Sequence, residues 1–251
     1  MTDNNTNNNA TNDESTVELE CCPIVAKGCS SVNVSFYSSE PLRIEQLIIP
    51  RERVADFLIT DIKVGKDSQF IGTGCLPASV FSSGAILEPI SGLPLLMPDR
   101  SVVLSVTNQA ASEKVFMATL RCSRLGKTIF PGRGWGLLGL GSTLVVAGGS
   151  ARIHVQSTAV FHIDRLIVPS SICDSFQVIE IEVGSPGFSV SRTEKVNPAS
   201  GESFAETSSG QLKFKKALMP GAWLSIYVKN VSSRAENFQG AFAGCLDRSN
   251  G

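Results

Sequence analysis

The chain has 251 residues, of which 42% are hydrophobic and 18% are charged, and its formal net charge is -1. This length fits one or two domains, and the composition is that of an ordinary globular protein. Because a near-neutral chain cannot neutralise many phosphates, the charge balance disfavours non-specific binding to nucleic acid.

The first 16 residues are polar and rich in asparagine. They contain no charged segment followed by an apolar one, so we expect no secretory signal peptide. Polar sequence of such low complexity is typical of a disordered segment. We therefore expect residues 1–30 to form a disordered N-terminal arm and a short connector. An arm that becomes ordered against a neighbouring subunit remains the alternative.

Apolar and polar residues alternate along several short segments, which is the pattern of half-buried β-strands. In the first part of the chain these segments are Ser31–Tyr37, Leu42–Ile49, Phe57–Val64, Ser101–Thr107 and Val115–Arg121. Residues 70–95 combine Gly, Ser and Pro with short apolar pieces and predict loops and short strands. The pattern indicates an all-β protein.

Part of this pattern occurs twice. Residues 43–50 (RIEQLIIP) correspond to residues 162–169 (HIDRLIVP), and Leu47 and Leu166 are separated by 166 − 47 = 119 positions. The same offset relates Gly65 to Gly184. Near the end of each copy, Met97 and Met219 are related by 219 − 97 = 122 positions. A repeat of this length is too long for a solenoid unit and long enough for its own core.

The duplication therefore predicts two tandem antiparallel β-sandwiches, jelly-roll-like, preceded by the disordered arm. The first sandwich is expected at residues 31–125 and the second at residues 151–251. Residues 126–150 are expected to form a glycine-rich linker that packs closely between the two. The two copies differ most in the loops at residues 65–97 and 191–211.

The glycine-rich linker contains the pattern G-x-G-x-x-G at residues 134–139. A dinucleotide site needs these glycines between a strand and a helix, with an acidic residue about 20 positions further on. Here more glycine and then a strand-like segment follow, so nucleotide binding is disfavoured. The apolar run is also shorter than the roughly 20 residues of a membrane helix, so we expect no membrane span. An exposed patch for a partner or lipid surface is the minority interpretation.

The seven cysteines do not repeat between the copies, apart from a loose correspondence of Cys122 and Cys245. A disulfide framework would have been duplicated with its domain, so we expect free thiols in a reducing compartment. Cys21, Cys22 and Cys29 lack the C-x-x-C spacing of a zinc site. The sequence therefore predicts no metal and no cofactor.

Candidate catalytic residues are few. The two histidines, His154 and His162, fall in strand-like segments, and His162 takes the position that Arg43 has in the other copy, so neither is distinguished as a catalytic base. Glu180 and Glu182 lie two apart on a strand, on a face that we expect to be solvated, and therefore give little support to a glycosidase. We expect the protein not to be an enzyme.

Duplicated β-sandwiches, an asparagine-rich arm and the missing catalytic set resemble, in architecture, the tandem or double jelly-roll structural proteins of viruses and phages. The segments that carry this resemblance are the paired strands ending at Pro50 and Pro169 and the paired Met-Pro strands. The resemblance implies a capsid or decoration subunit that binds copies of itself, with other virion proteins as further candidate partners. It also implies a location in the virion, with assembly in the cytoplasm.

The alternative is a carbohydrate- or ligand-binding β-sandwich module. Such a module would place aromatic side chains together on one face, and the chain has only two Trp and two Tyr. Trp223 and Tyr227 lie four positions apart on one predicted strand, which puts both on its outward face. They are the residues that we expect to face a ligand. An enzyme is the third possibility and would require a cofactor or metal.

Overall fold

The computed structural model describes residues 16–21, 23–72, 74–83, 85, 93–125, 134–184, 192–194, 198–208 and 217–246. These residues form eighteen β-strands and four 3-10 turns of three or four residues. Within the described part of the chain no helix reaches seven residues. The all-β prediction is therefore confirmed, and most of the predicted N-terminal arm lies outside the described residues.

Ten strands belong to the N-terminal half and eight belong to the C-terminal half. The N-terminal strands are β1 (Thr16–Glu20), β2 (Ile24–Ala26), β3 (Ser31–Tyr37), β4 (Leu42–Ile48), β5 (Phe57–Val64), β6 (Asp67–Ser68), β7 (Leu76–Pro77), β8 (Ser101–Asn108), β9 (Lys114–Phe116) and β10 (Thr119–Arg124). The C-terminal strands are β11 (Gly134–Val145), β12 (Ser150–Gln156), β13 (Phe161–Ile167), β14 (Phe176–Gly184), β15 (Arg192–Glu194), β16 (Ala199–Ser200), β17 (Trp223–Asn230) and β18 (Glu236–Leu246).

Each half contains two main antiparallel sheets, which we name after their central strands. In the N-terminal half the β10 sheet has the order β1-β10-β4, and the β8 sheet has the order β3-β8-β5-β6, with β7 also paired to β5. In the C-terminal half the β18 sheet has the order β11-β18-β13, and the β17 sheet has the order β12-β17-β14-β15, with β16 also paired to β14. Strands β2 and β9 form a separate pair. The pairing scheme of the first half thus recurs in the second.

Each pair of sheets encloses an apolar core, as the alternation of the sequence requires. The N-terminal core joins β4 and β10 to β3, β5 and β8, and the C-terminal core joins β13 and β18 to β12, β14 and β17. Edge-to-face phenylalanine pairs occupy corresponding places. Phe57 and Phe116 have ring centroids 5.1 Å apart, and so do Phe176 and Phe238.

A buried asparagine ends the central strand of each half. The Asn108 amide donates to the carbonyls of Ala26 (3.0 Å) and Ser112 (2.9 Å). The Asn230 amide donates in the same way to the carbonyls of Val145 (2.9 Å) and Arg234 (2.8 Å). Both asparagines are fully buried, so these bonds satisfy groups that would otherwise be costly to remove from water.

Two segments differ from the sequence prediction. Residues 16–20 and 24–26, assigned to the arm and connector, are strands β1 and β2 and pair with β10 and β9. Residues 134–145, assigned to the linker, form β11, the longest strand, which pairs with β18 along its length. Both segments lie at a sheet edge, where pairing to a partner strand outweighs their weak local propensity.

The outer face of the β18 sheet packs against the N-terminal half. Leu137, Ile167, Ala241 and Ala243 point away from the C-terminal core and belong to the N-terminal core. The N-terminal segment that meets this face includes β7, which contacts both β11 and β18. One sheet therefore contributes side chains to both cores, and the two halves share a continuous apolar contact.

Glycine allows the backbones to approach closely at this contact. A Cβ added at Gly139 would lie 2.4 Å from the Cys75 carbonyl oxygen and 2.6 Å from that of Gly74. The Gly141 amide also donates to the Cys75 carbonyl at 3.2 Å. Because the neighbours are backbone atoms, no side-chain rotation could make room for a larger residue.

Candidate functional site

The two aromatic residues singled out in the sequence lie on the outer face of the β17 sheet. Trp223 begins β17 and Tyr227 follows four positions later, while Leu224, Ile226 and Val228 between and beyond them point into the core. Tyr227 is 36% exposed and Trp223 is half-buried. The structure therefore places both aromatic side chains on one face, with Ser225 between them.

The indole of Trp223 lies against the backbone of the neighbouring strand β14. Trp223 is paired with Gly184, and a Cβ added at Gly184 would fall 1.8 Å from Cε2 and 2.3 Å from Nε1 of the indole. The ring thus occupies the space that a side chain would take at that position. One face of the indole packs on the strand, and its other face is directed away from the sheet.

His154 stands beside the indole of Trp223, which we call the platform. It lies on β12 opposite Ser225, and its Nδ1 is 2.6 Å from the Ser225 hydroxyl. The centroid of its ring is 6.1 Å from that of Trp223, with an angle of 76° between the ring planes. The indole lies against the sheet, and the imidazole stands nearly perpendicular to it at one side.

An ion pair crosses the same face. Arg152 on β12 and Glu182 on β14 join through Nη2 and Oε2 at 2.6 Å. Arg152 is paired with Tyr227 on one side of β17, and Glu182 is paired with Ser225 on the other side. The ion pair therefore passes diagonally over the strand between Trp223 and Tyr227. The Glu182 side chain is only 12% exposed, and the guanidinium compensates its charge.

The contact between Ser225 and His154 resembles the first contact of a serine nucleophile with its base. Ser225 is, however, only 1% exposed. Glu182, the nearest carboxylate on the adjoining strand, is engaged by Arg152 instead of orienting the imidazole. The hydroxyl therefore lacks the access that an acyl-transfer nucleophile needs, and the cluster is better suited to binding than to covalent catalysis.

Sequence reasoning treated His154 as an isolated strand residue and did not bring it together with Trp223, Arg152 and Glu182. Their proximity depends on the registers of β12 and β14 against β17, which include a shift between Val178 and Glu180. Glu180 and Glu182 do not act as a pair. Glu182 binds Arg152, whereas Glu180 lies beside Tyr227.

The corresponding face of the N-terminal half has smaller side chains. Ser101 and Ser105 on β8 take the places of Trp223 and Tyr227, and the Ser105 hydroxyl donates to the Asn33 side-chain oxygen at 2.9 Å. The large exposed aromatic side chain there is Tyr37, which is 69% exposed. The cluster of indole, imidazole and ion pair thus belongs to the C-terminal half.

The junction between the halves holds a partly open cavity of about 260 Å³. Seven residues line it: Ser68, Gln69, Phe70, Ile71, Thr158, Ala159 and Leu246. Thr158 donates from its amide (2.7 Å) and its hydroxyl (2.9 Å) to the Ile71 carbonyl. These polar groups join the two halves instead of pointing at a ligand.

Six cysteines fall in the described residues, and no disulfide joins any two of them. Cys122 pairs in register with Ile44, whereas the residue that pairs with Ile163 in the other half is Gly244. Because Ile44 and Ile163 correspond, the structural counterpart of Cys122 is Gly244, and the loose match to Cys245 is corrected by one position. Cys22 lies outside the described residues.

Among the residues that the structure describes, no group of three or more His, Cys, Asp and Glu side chains could hold a metal ion. No helix in the same part of the chain is long and apolar enough to cross a membrane. The glycines of the G-x-G-x-x-G pattern lie in β11, where Gly139 allows the backbone of Cys75 to approach closely.

Comparison with known proteins gives no relative from which a function could be transferred. No protein-family model matches the chain, and no curated protein matches it either.

Proposed function

We propose that this chain is a structural subunit of a virion or phage-like assembly, either a capsid or a decoration protein. In this proposal it self-associates through two tandem, duplicated jelly-roll-like sandwiches and works without a cofactor. Its partners are copies of itself, with other virion proteins as further candidates, and it is located in the virion after assembly in the cytoplasm.

The observation that carries the proposal is the strand order. Successive long strands alternate between the two sheets of each half: β3 and β5 belong to the β8 sheet, whereas β4 belongs to the β10 sheet. Strands β12, β13 and β14 alternate in the same way in the second half. This alternation is typical of the jelly roll, a fold that capsid proteins use. Its repetition at a constant offset supports a duplicated sandwich.

The contact between the halves also supports an assembly role. It joins an edge of one half to a face of the other, which is a heterologous contact, and four buried apolar side chains of the β18 sheet hold it together. Fully burying such side chains contributes about 1.5 to 3 kcal/mol each, less for alanine. The buried apolar contact therefore holds the two halves together as one structural unit.

Exposed apolar residues at corresponding positions supply candidate contacts between subunits. Val25 is 57% exposed and Leu144 is 64% exposed, and the two positions are separated by 144 − 25 = 119 residues, the offset of the duplication. Equivalent exposed apolar side chains in both halves suit pseudo-symmetric contacts with neighbouring copies.

Light scattering of the purified protein over a concentration series, followed by negative-stain imaging, tests the proposal. We expect a defined oligomer, ring or shell. We also expect the double variant V25K/L144K to dissociate more readily, because each lysine would have to be desolvated in the contact. V231K is the matched control, since Val231 is also apolar and 54% exposed. A wild-type protein that stays monomeric at the highest concentrations would contradict the proposal.

A second candidate, the carbohydrate- or ligand-binding module, is favoured by the cluster around Trp223. That cluster is compatible with an assembly subunit that also binds a ligand.

A further inference from the structure

We propose that the outer face of the β17 sheet binds a neutral glycan, with one pyranose ring stacked on Trp223. His154 and Gln156, on β12, and the ion pair of Arg152 with Glu182 would supply the hydrogen bonds. This inference goes beyond the assembly role, which neither requires nor excludes a glycan site.

The platform is built for stacking. Gly184 leaves the space in which the indole lies against β14, so the strand supports one side of the ring while the half-buried side chain keeps part of its surface exposed. Pyranose rings have one face of C–H groups that packs on an aromatic ring, in the same manner as other apolar surfaces. A substituent at position 184 would remove this arrangement by displacing the ring.

Polar groups surround the indole on the side of β12. His154 is held by its hydrogen bond to Ser225, and its ring stands at 76° to the indole. Gln156 is paired with Trp223 across the strands, and its amide nitrogen donates to the Gly221 carbonyl at 2.9 Å. These hydrogen bonds fix both side chains beside the platform. An apolar surface with a few positioned polar groups is the usual character of a small-ligand site.

The charges on this face favour a neutral ligand over a nucleic acid. A stacking site for single strands needs cations along it to neutralise phosphates. Here Arg152 is paired with Glu182, and Glu180 lies in the next row opposite Tyr227. A phosphate chain along the sheet would therefore meet carboxylates as well as cations.

Isothermal titration calorimetry tests the proposal with soluble oligosaccharides built from glucose, N-acetylglucosamine, galactose or mannose. We expect at least one to bind with a stoichiometry of one per chain, because the N-terminal half has Ser101 where the C-terminal half has Trp223. W223A should weaken that binding by about tenfold or more, the loss of one stacking contact. G184A should weaken it comparably while keeping the indole in the chain.

Y37A is the matched control, since it removes an exposed aromatic from the corresponding sheet of the other half and should leave binding unchanged. Thermal unfolding of each variant separates loss of binding from loss of folding. The proposal is overturned if no oligosaccharide binds, if W223A and G184A both bind as the wild type does, or if an oligouridylate binds at this face and the sugars do not. Light scattering of W223A distinguishes the glycan-binding proposal from the assembly proposal. The variant can lose glycan binding and still assemble, and the wild type can bind a glycan without assembling.

Discussion

At the scale of single residues, burial determines the chemistry of the thiols. Cys122 is fully buried on β10, and removal from water raises the pKa of its thiol from 9.0 to about 11, with a smaller contribution from the negative charge of Glu45. Burial also raises the pKa of the Cys173 thiol, helped by the carboxylates of Asp174, Glu202 and Glu206. Both thiols therefore remain protonated at neutral pH and are poor nucleophiles.

The raised pKa of Cys122 makes stability depend on pH in the alkaline range. Below pH 9 the thiol is protonated in both the folded and the unfolded chain, so its contribution is fully present. Between about pH 9 and pH 11 the unfolded chain ionises first, and the folded state loses stability as pH rises. We expect the free energy of unfolding, measured by urea denaturation, to fall over this range and to fall less steeply in C122A. C29A, which changes an exposed thiol, should keep the wild-type slope. Equal slopes for all three proteins would contradict the assignment.

The aromatic pair on the outer face of the β17 sheet could be found from the sequence, because two residues four apart on a strand share a side. Its polar neighbours could not be found so directly. Their positions depend on a register shift between Val178 and Glu180, which moves Glu182 opposite Ser225. A bulge of this kind is a tertiary feature that alternation alone does not reveal.

At the scale of elements, the strands with clear alternation were predictable and those supported by their partners were not. Strands β3, β5 and β8 alternate apolar and polar residues and begin where the sequence places them. Strand β11 carries four glycines among its twelve residues, so its local propensity is that of a loop. It is a strand because it pairs with β18 along one side and packs against the N-terminal half with one face.

This dependence on glycine gives a test within β11. G139A would place a Cβ 2.4 Å from the backbone oxygen of Cys75, and backbone atoms cannot rotate away. We expect the variant to lose about 1 to 3 kcal/mol of stability, the usual cost of overpacking, in urea denaturation. S150A, at an exposed position near the start of β12, should stay within about 0.5 kcal/mol of the wild type. A G139A protein as stable as the wild type would show that the two halves do not approach at this point.

At the scale of the whole molecule, the two halves meet where a sheet edge of the N-terminal half packs on the outer face of the β18 sheet. Each half has an edge and a face of this kind, but only this one edge and this one face are in contact within the chain. On the β18 sheet the occupied face presents Leu137 and Ala243. The corresponding positions of the β10 sheet hold Glu18 and Arg121, which are paired in register and joined by an ion pair at 3.1 Å. The face that is buried in one half is thus charged in the other.

The edge shows the same asymmetry. In the N-terminal half the 3-10 turn that follows β7 is buried and includes Ser79 and Val80. In the C-terminal half the turn that follows β16 exposes Glu202 and Ser203. A heterologous contact propagates without end unless its free surfaces close a ring or are blocked. We infer that these polar residues prevent chains from joining end to end through this contact, so that assembly uses other surfaces.

Exchanging the polar residues for their counterparts tests this inference directly. The variant E18L/R121A/E202S/S203V gives the free face and the free edge the residues that dock within the chain. We expect it to form head-to-tail species that grow with concentration in sedimentation velocity, beyond any oligomer of the wild type, because the apolar contact can now repeat between chains. E18L/R121A alone is the matched control: it presents the apolar face without the apolar edge and should not grow in this way. If the fourfold variant sediments as the wild type does, the polar residues do not limit this contact, and the geometry of the free surfaces must prevent it instead.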